Sequence, residues 1–206
     1  VEAAVGWHPQ DAADCTAEDL DRIEELVRDH PKVVAIGETG LDYFRMTSPK
    51  DVQQRVFREQ IRLARRLGVP LVIHNRDAHA DLVAILREEK AYDVGGVMHC
   101  FSGSWEIAEM CLAMNFYLSF GGPVTFQNAK QPKEVLRKTP PERLLLETDA
   151  PYLTPHPHRG QRNESGYVRL VAEAAAELKG MSLEEIAALT STNAAALFRP
   201  KEERKR

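Results

Sequence analysis

The fold is decided by the stretch Val33-Val34-Ala35-Ile36-Gly37-Glu38-Thr39-Gly40-Leu41-Asp42. Its apolar half, Val33 to Ile36, has no polar alternation, which predicts a strand covered on both faces, as in a parallel sheet. We expect the strand to end just before Glu38, whose carboxylate can bind a metal. The same order, an apolar run followed by a polar residue, recurs along the chain.

Five further apolar runs predict strands, and segments of helical period separate them. Because strands alternate with helices, the pattern predicts parallel strands joined by crossover helices, an α/β fold. The five runs lie near Ala3 to Gly6, Leu71 to Ile73, Gly96 to Met98, Phe116 to Phe120 and Leu144 to Leu146.

Helix starts carry capping patterns. They are Thr16 with Asp19, Ser48 before Pro49, and Ser182 with Glu185. Apolar stripes mark helices in residues 57–64, 82–86, 107–114 and 168–178, and a closing helical layer in 193–198.

One polar or small residue follows each predicted strand, at a spacing of about 28 residues. Eight such strand-helix units would form a closed (β/α)8 TIM barrel, which takes ~250 residues. Six units fall two short, so we expect an N-terminally incomplete barrel over residues 1–200, with 201–206 as a charged tail; an open doubly wound sheet is the alternative. The six residues are His8, Glu38, His74, His99, Gly121 and Asp149.

Composition excludes several classes of protein. The chain has 206 residues, is 43% hydrophobic and has a net charge of -4, which argues against disorder and against charge-driven coating of duplex DNA. Its apolar runs fall short of the ~18 residues of a membrane span. Cys15, Cys100 and Cys111 are odd in number and show no CxxC spacing, which indicates reduced thiols in a cytoplasmic setting. Motifs of serine hydrolases, P-loop NTPases, dinucleotide enzymes and zincins are absent from the sequence.

Two imidazoles and two carboxylates stand at strand ends that face one barrel mouth: Glu38, His74, His99 and Asp149. A single histidine after a strand is more often structural, but the set of four predicts a shared N/O site for Zn²⁺, Mn²⁺ or Mg²⁺. Because no thiolate belongs to the set, a closed structural zinc site is disfavoured.

These motifs resemble those of the TatD-type deoxyribonucleases, within the amidohydrolase-like metal-dependent hydrolases. The likeness extends over almost the whole chain, and it implies a metal-bearing barrel that hydrolyses phosphodiester bonds of DNA, as an exonuclease. It also implies that Glu38 bridges two divalent ions, that His74 and His99 hold the second, and that Asp149 holds the first and activates water. The motifs are Gly6-Trp7-His8-Pro9, Gly37-Glu38-Thr39-Gly40-Leu41-Asp42-Tyr43, His74-Asn75-Arg76-Asp77-Ala78, His99-Cys100-Phe101-Ser102-Gly103, Glu147-Thr148-Asp149-Ala150-Pro151-Tyr152 and Arg162-Asn163-Glu164.

The family's His-x-His pair would precede Val1, so we expect two strand-helix units to be missing from the chain. The segment His156-Pro157-His158 has the same His-x-His pattern but lies in a Pro-rich loop after Asp149. Together with Arg159 and Arg162 it is better interpreted as a phosphate-binding loop.

Three further residues near the motifs carry expectations of their own. His8 is expected to donate a hydrogen bond to a substrate phosphate or to be structural. For Asp42 and Asp77 a structural role is favoured. Asp42 is also a candidate for orienting a ligand, and Asp77 for capping the next helix.

Two alternatives stay open. Because such barrels also cleave amides and esters, the first alternative is a deacylase that acts on D-aminoacyl-tRNA. The second is an inactive truncated barrel that only binds its partner. The expected partner is DNA or another phosphodiester, with no membrane and no obligate protein partner, and the expected location is cytoplasmic.

Overall fold

The computed structural model describes residues 1–198 and divides into two compact units. The first consists mainly of Val1–Met98 with Ala113–Phe116, and the second of His99–Leu112 with Tyr117–Ala196. The expected single domain over 1–200 stays a prediction, and the expected tail, 201–206, lies outside the described residues. Among residues 1–198, no helix is both long enough and apolar enough to span a membrane.

In the first unit, four strands pair in parallel in chain order. Three helices, α1 (Ala17–Asp29), α2 (Lys50–Leu67) and α3 (His79–Glu88), connect them, with short 3-10 helices at Pro9–Asp14 and Ala91–Asp93. Helix α2 packs on β2 and contributes the fully buried Phe57 and Ile61 to the core. The strands are β1 (Ala3–Val5), β2 (Val33–Asp42), β3 (Leu71–Arg76) and β4 (Gly96–Met98).

The second unit contains most or all of two strands and four helices. Strands β5 (Phe116–Phe120) and β6 (Leu144–Leu146) pair in parallel, and Leu118, Phe120 and Leu144 are buried between the layers. Short 3-10 helices lie at Gly122–Thr125, Pro141–Arg143 and Ser165–Tyr167. The α-helices are α4 (Trp105–Ala113), α5 (Lys130–Lys138), α6 (Val168–Lys179) and α7 (Leu183–Leu197).

All six predicted strands are present, and the capping pair at Thr16 and Asp19 forms as expected. The predicted ends of two strands were wrong. Glu38 and His74 lie inside β2 and β3, because pairing continues past the apolar runs through Gly40 opposite His74 and Asp42 opposite Arg76. Only glycine allows this approach, since a Cβ at Gly40 would collide with the backbone oxygen of His74.

The predicted cap at Asp77 was also wrong. Ala78 is the residue that precedes α3, and its side chain accepts no capping hydrogen bond. Asp77 instead has a positive φ of 54°, a conformation that Asp tolerates better than most residues. The closing helical layer is one continuous helix, α7, which begins after the hydrogen-bonded pair of Ser182 and Glu185.

Candidate metal centre

Three side chains of the first unit converge on one point. Glu38 Oε1 lies 2.7 Å from His74 Nδ1 and 3.9 Å from His8 Nε2. One ligand atom from each residue lies within 4.8 Å of the other two. Two imidazole nitrogens and a carboxylate oxygen are a donor set that suits Zn²⁺ or Mn²⁺, so these residues fit a divalent ion.

His8 is held with Nε2 facing this cluster. Its Nδ1 accepts a hydrogen bond from the backbone N–H of Gln10 at 3.2 Å, at the start of the 3-10 helix Pro9–Asp14. Burial, followed by the neighbouring His74 ring at a centroid distance of 4.6 Å, lowers the pKa of His8. Because Nδ1 accepts the bond from Gln10, the neutral ring carries its proton on Nε2, so His8 presents a donor to Glu38. To bind an ion through Nε2, the ring would have to move its proton to Nδ1 and give up that bond.

The other nitrogen of His74 faces a carboxylate. Its Nε2 lies 3.2 Å from Oδ2 of Asp42, and the same oxygen accepts a hydrogen bond from Gln10 Nε2 at 2.8 Å. A carboxylate behind a ligating histidine sets the tautomer and the ring orientation. Asp42 is therefore in contact with His74, and its role in orienting a ligand stays a prediction.

Asp42 has no exposure to solvent. Burial alone would raise its pKa, but the hydrogen bonds from the backbone N–H of Arg45 and from Gln10, together with His74, lower the pKa below its usual value. Its other oxygen, Oδ1, accepts from the N–H groups of Phe44 and Arg45 at 3.0 and 2.8 Å. A buried carboxylate with this many donors is stable as an anion.

Two buried glutamines of α2 hold the strand ends in place. Gln60 accepts from Trp7 N–H at 2.7 Å and donates to Trp7 O at 3.0 Å and Thr39 Oγ1 at 2.6 Å, so it bonds the neighbours of His8 and Glu38. Gln53 accepts from the N–H of Asp42 and donates to its carbonyl. Neither glutamine was expected to contribute to the site.

The second unit holds a cluster of His99, Glu147 and Asp149. His99 Nδ1 lies 3.0 Å from Glu147 Oε2, and His99 Nε2 lies 3.4 Å from Asp149 Oδ1. Glu147 is positioned by its backbone N–H, which donates to Phe120 O at 3.1 Å and extends the β5–β6 pairing. Its Oε1 is buried and has no hydrogen-bond partner among residues 1–198. Glu147 contacts His99 as Asp42 contacts His74, and no role was expected for Glu147.

Asn163 closes the loop that follows Asp149. Its side-chain amide donates to Thr148 O at 2.6 Å and Tyr152 O at 2.5 Å, and its backbone N–H donates to Pro151 O at 3.0 Å. Asn163 is 2% exposed, so these bonds are shielded from water. The bonds fix the backbone on both sides of Asp149, which has a positive φ of 58°.

The loop residues expected to bind phosphate have different surroundings. His156 and Arg159 line a pocket, and the guanidinium of Arg159 lies 4.4 Å from the centre of the Phe126 ring. The ring of His158 stacks on Tyr167, with centroids 4.7 Å apart and planes at 6°. Arg162 is exposed to solvent.

The four predicted ligands therefore form two pairs, Glu38 with His74 in the first unit and His99 with Asp149 in the second. That all four share an ion stays a prediction.

Comparisons with known proteins identify the family of the chain. A family model described as TatD related DNase matches residues 1–199. The uncharacterized metal-dependent hydrolase YabD of Bacillus subtilis (strain 168) is 62% identical over 199 residues, which cover 97% of this chain and 78% of YabD. The 3'-5' ssDNA/RNA exonuclease TatD of Edwardsiella piscicida is 37% identical over 202 residues, which cover 96% of this chain and 77% of that protein.

A solved structure shares the fold. The crystal structure of YjjV, a TatD homologue from Escherichia coli K12, superposes with a TM-score of 0.89 at 33% identity, covering 96% of this chain and 76% of YjjV. The predicted fold class, an α/β fold of TIM-barrel type, is thereby confirmed.

Proposed function

We propose that this chain hydrolyses phosphodiester bonds of DNA as an exonuclease, starting from the premise that it belongs to the TatD related DNase family and is a metal-dependent hydrolase. The exonuclease named in Edwardsiella piscicida, at 37% identity, supports a nucleic-acid substrate. The observation that carries the proposal is the convergence of His8, Glu38 and His74 within the reach of one ion.

The proposed ligands are Glu38 and His74 in the first unit, joined by His8, and His99 and Asp149 in the second. A bound divalent ion neutralises charge on a phosphate and lowers the pKa of water. Behind the ligands, Asp42 sets the orientation of His74 and Glu147 that of His99. The metal is Zn²⁺, Mn²⁺ or Mg²⁺, and one or two ions are bound.

We assign proton transfer to Asp149. Its carboxylate takes a proton from the attacking water as the water oxygen bonds to phosphorus. The bond from phosphorus to the sugar oxygen breaks, and that oxygen leaves with the electron pair and takes up a proton from solvent. The Asn163 bonds keep the backbone around Asp149 in one conformation, so the carboxylate needs little reorganisation. His156, His158, Arg159 and Arg162 are proposed to hold the phosphates of the substrate strand, as a local cationic loop on an acidic protein.

The test combines metal content with nuclease activity of the full chain. Purified protein is analysed for bound metal by mass spectrometry and assayed on end-labelled single-stranded DNA, with and without a chelator. We expect stepwise shortening from one end that stops on chelation. Glu38→Ala and Asp149→Ala should each reduce the rate by at least about 100-fold, because each removes charge that acts on the transition state.

Wild-type rates in both variants would contradict the proposal. Cleavage of D-aminoacyl-tRNA with no cleavage of DNA would replace it with the deacylase alternative. Metal-free protein that binds DNA without turnover would favour a binding role. Arg22→Ala, in an exposed ion pair of α1, serves as the control variant and should keep full activity.

A further inference from the structure

A pocket of about 530 Å³ opens on the second unit. Its volume lies within the range of pockets that take a small ligand or part of a larger one. Four of its lining residues, in the segment before α5, have no role in the proposed chemistry. The lining consists of Phe126, Gln127, Asn128, Ala129, His156 and Arg159.

The two walls of the pocket are joined by hydrogen bonds. The backbone N–H of His156 donates to Thr125 Oγ1 at 2.8 Å, and this hydroxyl donates to Gly122 O at 2.7 Å. Gly122 itself lies so close to the loop that a Cβ there would collide with the backbone oxygen of Leu153. The pocket is therefore a built feature of the second unit.

One wall is a cation–π pair. The guanidinium of Arg159 lies over the ring of Phe126 at 4.4 Å. Aromatic rings and guanidinium planes are the surfaces on which proteins stack unpaired bases. Arg159 also brings positive charge, which suits the phosphate that accompanies each base.

The adjoining wall offers hydrogen-bonding groups without a preference for one base. Gln127 and Asn128 each present an amide with donors and an acceptor, and neither side chain forms a hydrogen bond to any part of residues 1–198. Amides of this kind bond the edges of bases that are not engaged in pairing.

We propose that this pocket binds one unpaired nucleobase of a single-stranded nucleic acid, stacked on the outside of the Phe126–Arg159 pair with its edge on Gln127 and Asn128. The proposal rests on the proposed nuclease function and deepens it, since it makes a strand with free bases the preferred substrate. A base within a duplex has both faces and its pairing edge covered, so it does not fit this pocket.

The test compares two probes on metal-loaded full chain by fluorescence anisotropy. One is a short labelled oligothymidylate with hydrolysis-resistant phosphorothioate linkages, and the other has the same backbone without bases. We expect wild type to bind the probe with bases about tenfold more tightly, and Phe126→Leu, which keeps an apolar side chain but loses the ring, to remove that difference. Binding of the abasic probe should be the same in both proteins.

The control is Tyr117→Leu, which breaks a similar pair elsewhere in the second unit, since Arg143 lies 4.9 Å from the Tyr117 ring. It should bind both probes like wild type. Equal affinity of wild type for the two probes would contradict the proposed base-binding pocket. So would an unchanged preference of Phe126→Leu for the probe with bases. If the chain binds bases through Phe126 but cleaves no DNA, the pocket stands and the nuclease function fails.

Discussion

Asp42 Oδ2 lies 3.2 Å from His74 Nε2, and Asp42 is completely buried. The imidazole therefore stands between two carboxylates, with Nδ1 at 2.7 Å from Glu38 on its other side. Since Asp42 is an anion held by backbone N–H groups, it fixes which nitrogen of His74 is available to an ion. We therefore predict that metal binding by His74 depends on Asp42, which is not one of the three clustered side chains.

Asp42→Asn should weaken metal binding about 10- to 100-fold, because the amide no longer stabilises His74 as the carboxylate does. Its NH₂ group would also face the amide of Gln10, so the free energy of unfolding should fall by about 1–3 kcal/mol. Metal affinity is measured by competition with a chromophoric chelator. Asp77→Asn, at an exposed position after β3, is the matched control. Unchanged metal affinity in Asp42→Asn would show that Asp42 is only structural.

Gln60→Ala should lower the free energy of unfolding by about 2–3 kcal/mol, because three polar atoms of Trp7 and Thr39 lose their buried partner. We also expect a lower metal affinity, since His8 and Glu38 are the chain neighbours of Trp7 and Thr39. Urea unfolding measures the first effect. Gln54→Ala on the same helix, where the side chain bonds Tyr43 and Asp81 nearer to solvent, should cost under about 1 kcal/mol. Equal losses in the two variants would contradict this prediction.

The three thiols should differ in reactivity. Burial raises the pKa of Cys111 to about 12, and burial with nearby acidic groups raises the pKa of Cys15 to about 11, so neither forms appreciable thiolate at pH 8. Cys100 is only half-buried. Brief treatment of native protein with iodoacetamide should modify Cys100 first, and denatured protein should be modified at all three, as read by mass spectrometry. Early modification of Cys111 would be inconsistent with its burial.

Glu89 should make the first unit sensitive to acid. Its carboxylate accepts hydrogen bonds from Arg62 at 2.7 and 2.6 Å and from Arg58 at 3.0 Å. The bonds from Arg62 lower the pKa of Glu89; burial opposes this shift and Arg58 adds to it. A group whose pKa falls on folding adds stability above its unfolded pKa near 4.5 and loses it as the pH drops through the folded value.

Urea unfolding at pH 7 and below pH 4 measures this effect. Glu89→Gln should cost about 2 kcal/mol at neutral pH and much less in acid, since only the neutral-pH protein has the carboxylate to lose. Glu88→Gln, whose side chain is more exposed, is the control and should cost under about 1 kcal/mol. A pH-independent loss in Glu89→Gln would argue against the ionic interaction.

The strands could be predicted because continuous apolar runs have few alternatives between glycine and polar residues. The clustering of polar residues could be predicted because the carboxyl ends of parallel strands lie along one edge of a sheet, and Glu38 does lie beside His74 and His99 beside Asp149. The exact strand ends could not be predicted, since pairing beyond Ile36 depends on how closely Gly40 approaches β3. That approach is a contact between distant parts of the chain.

The buried glutamines were missed because polar residues on a helix are usually solvated. A signal was present, however: Gln53, Phe57, Gln60 and Ala64 are spaced four, three and four, so the glutamines share the apolar face of α2. A polar residue on a buried face must bond something. Their partners at Trp7, Thr39 and Asp42 are backbone and hydroxyl groups, which no sequence pattern identifies.

The Asn163 bonds close the neck of the loop between Asp149 and Glu164, and Thr154 Oγ1 donates to Gln161 O at 2.5 Å just above it. A segment with its two ends tied together can be shortened, lengthened or exchanged without displacing what lies below the tie. Residues 155–160 are thus a segment that evolution or a protein engineer can exchange while Asp149 stays in place.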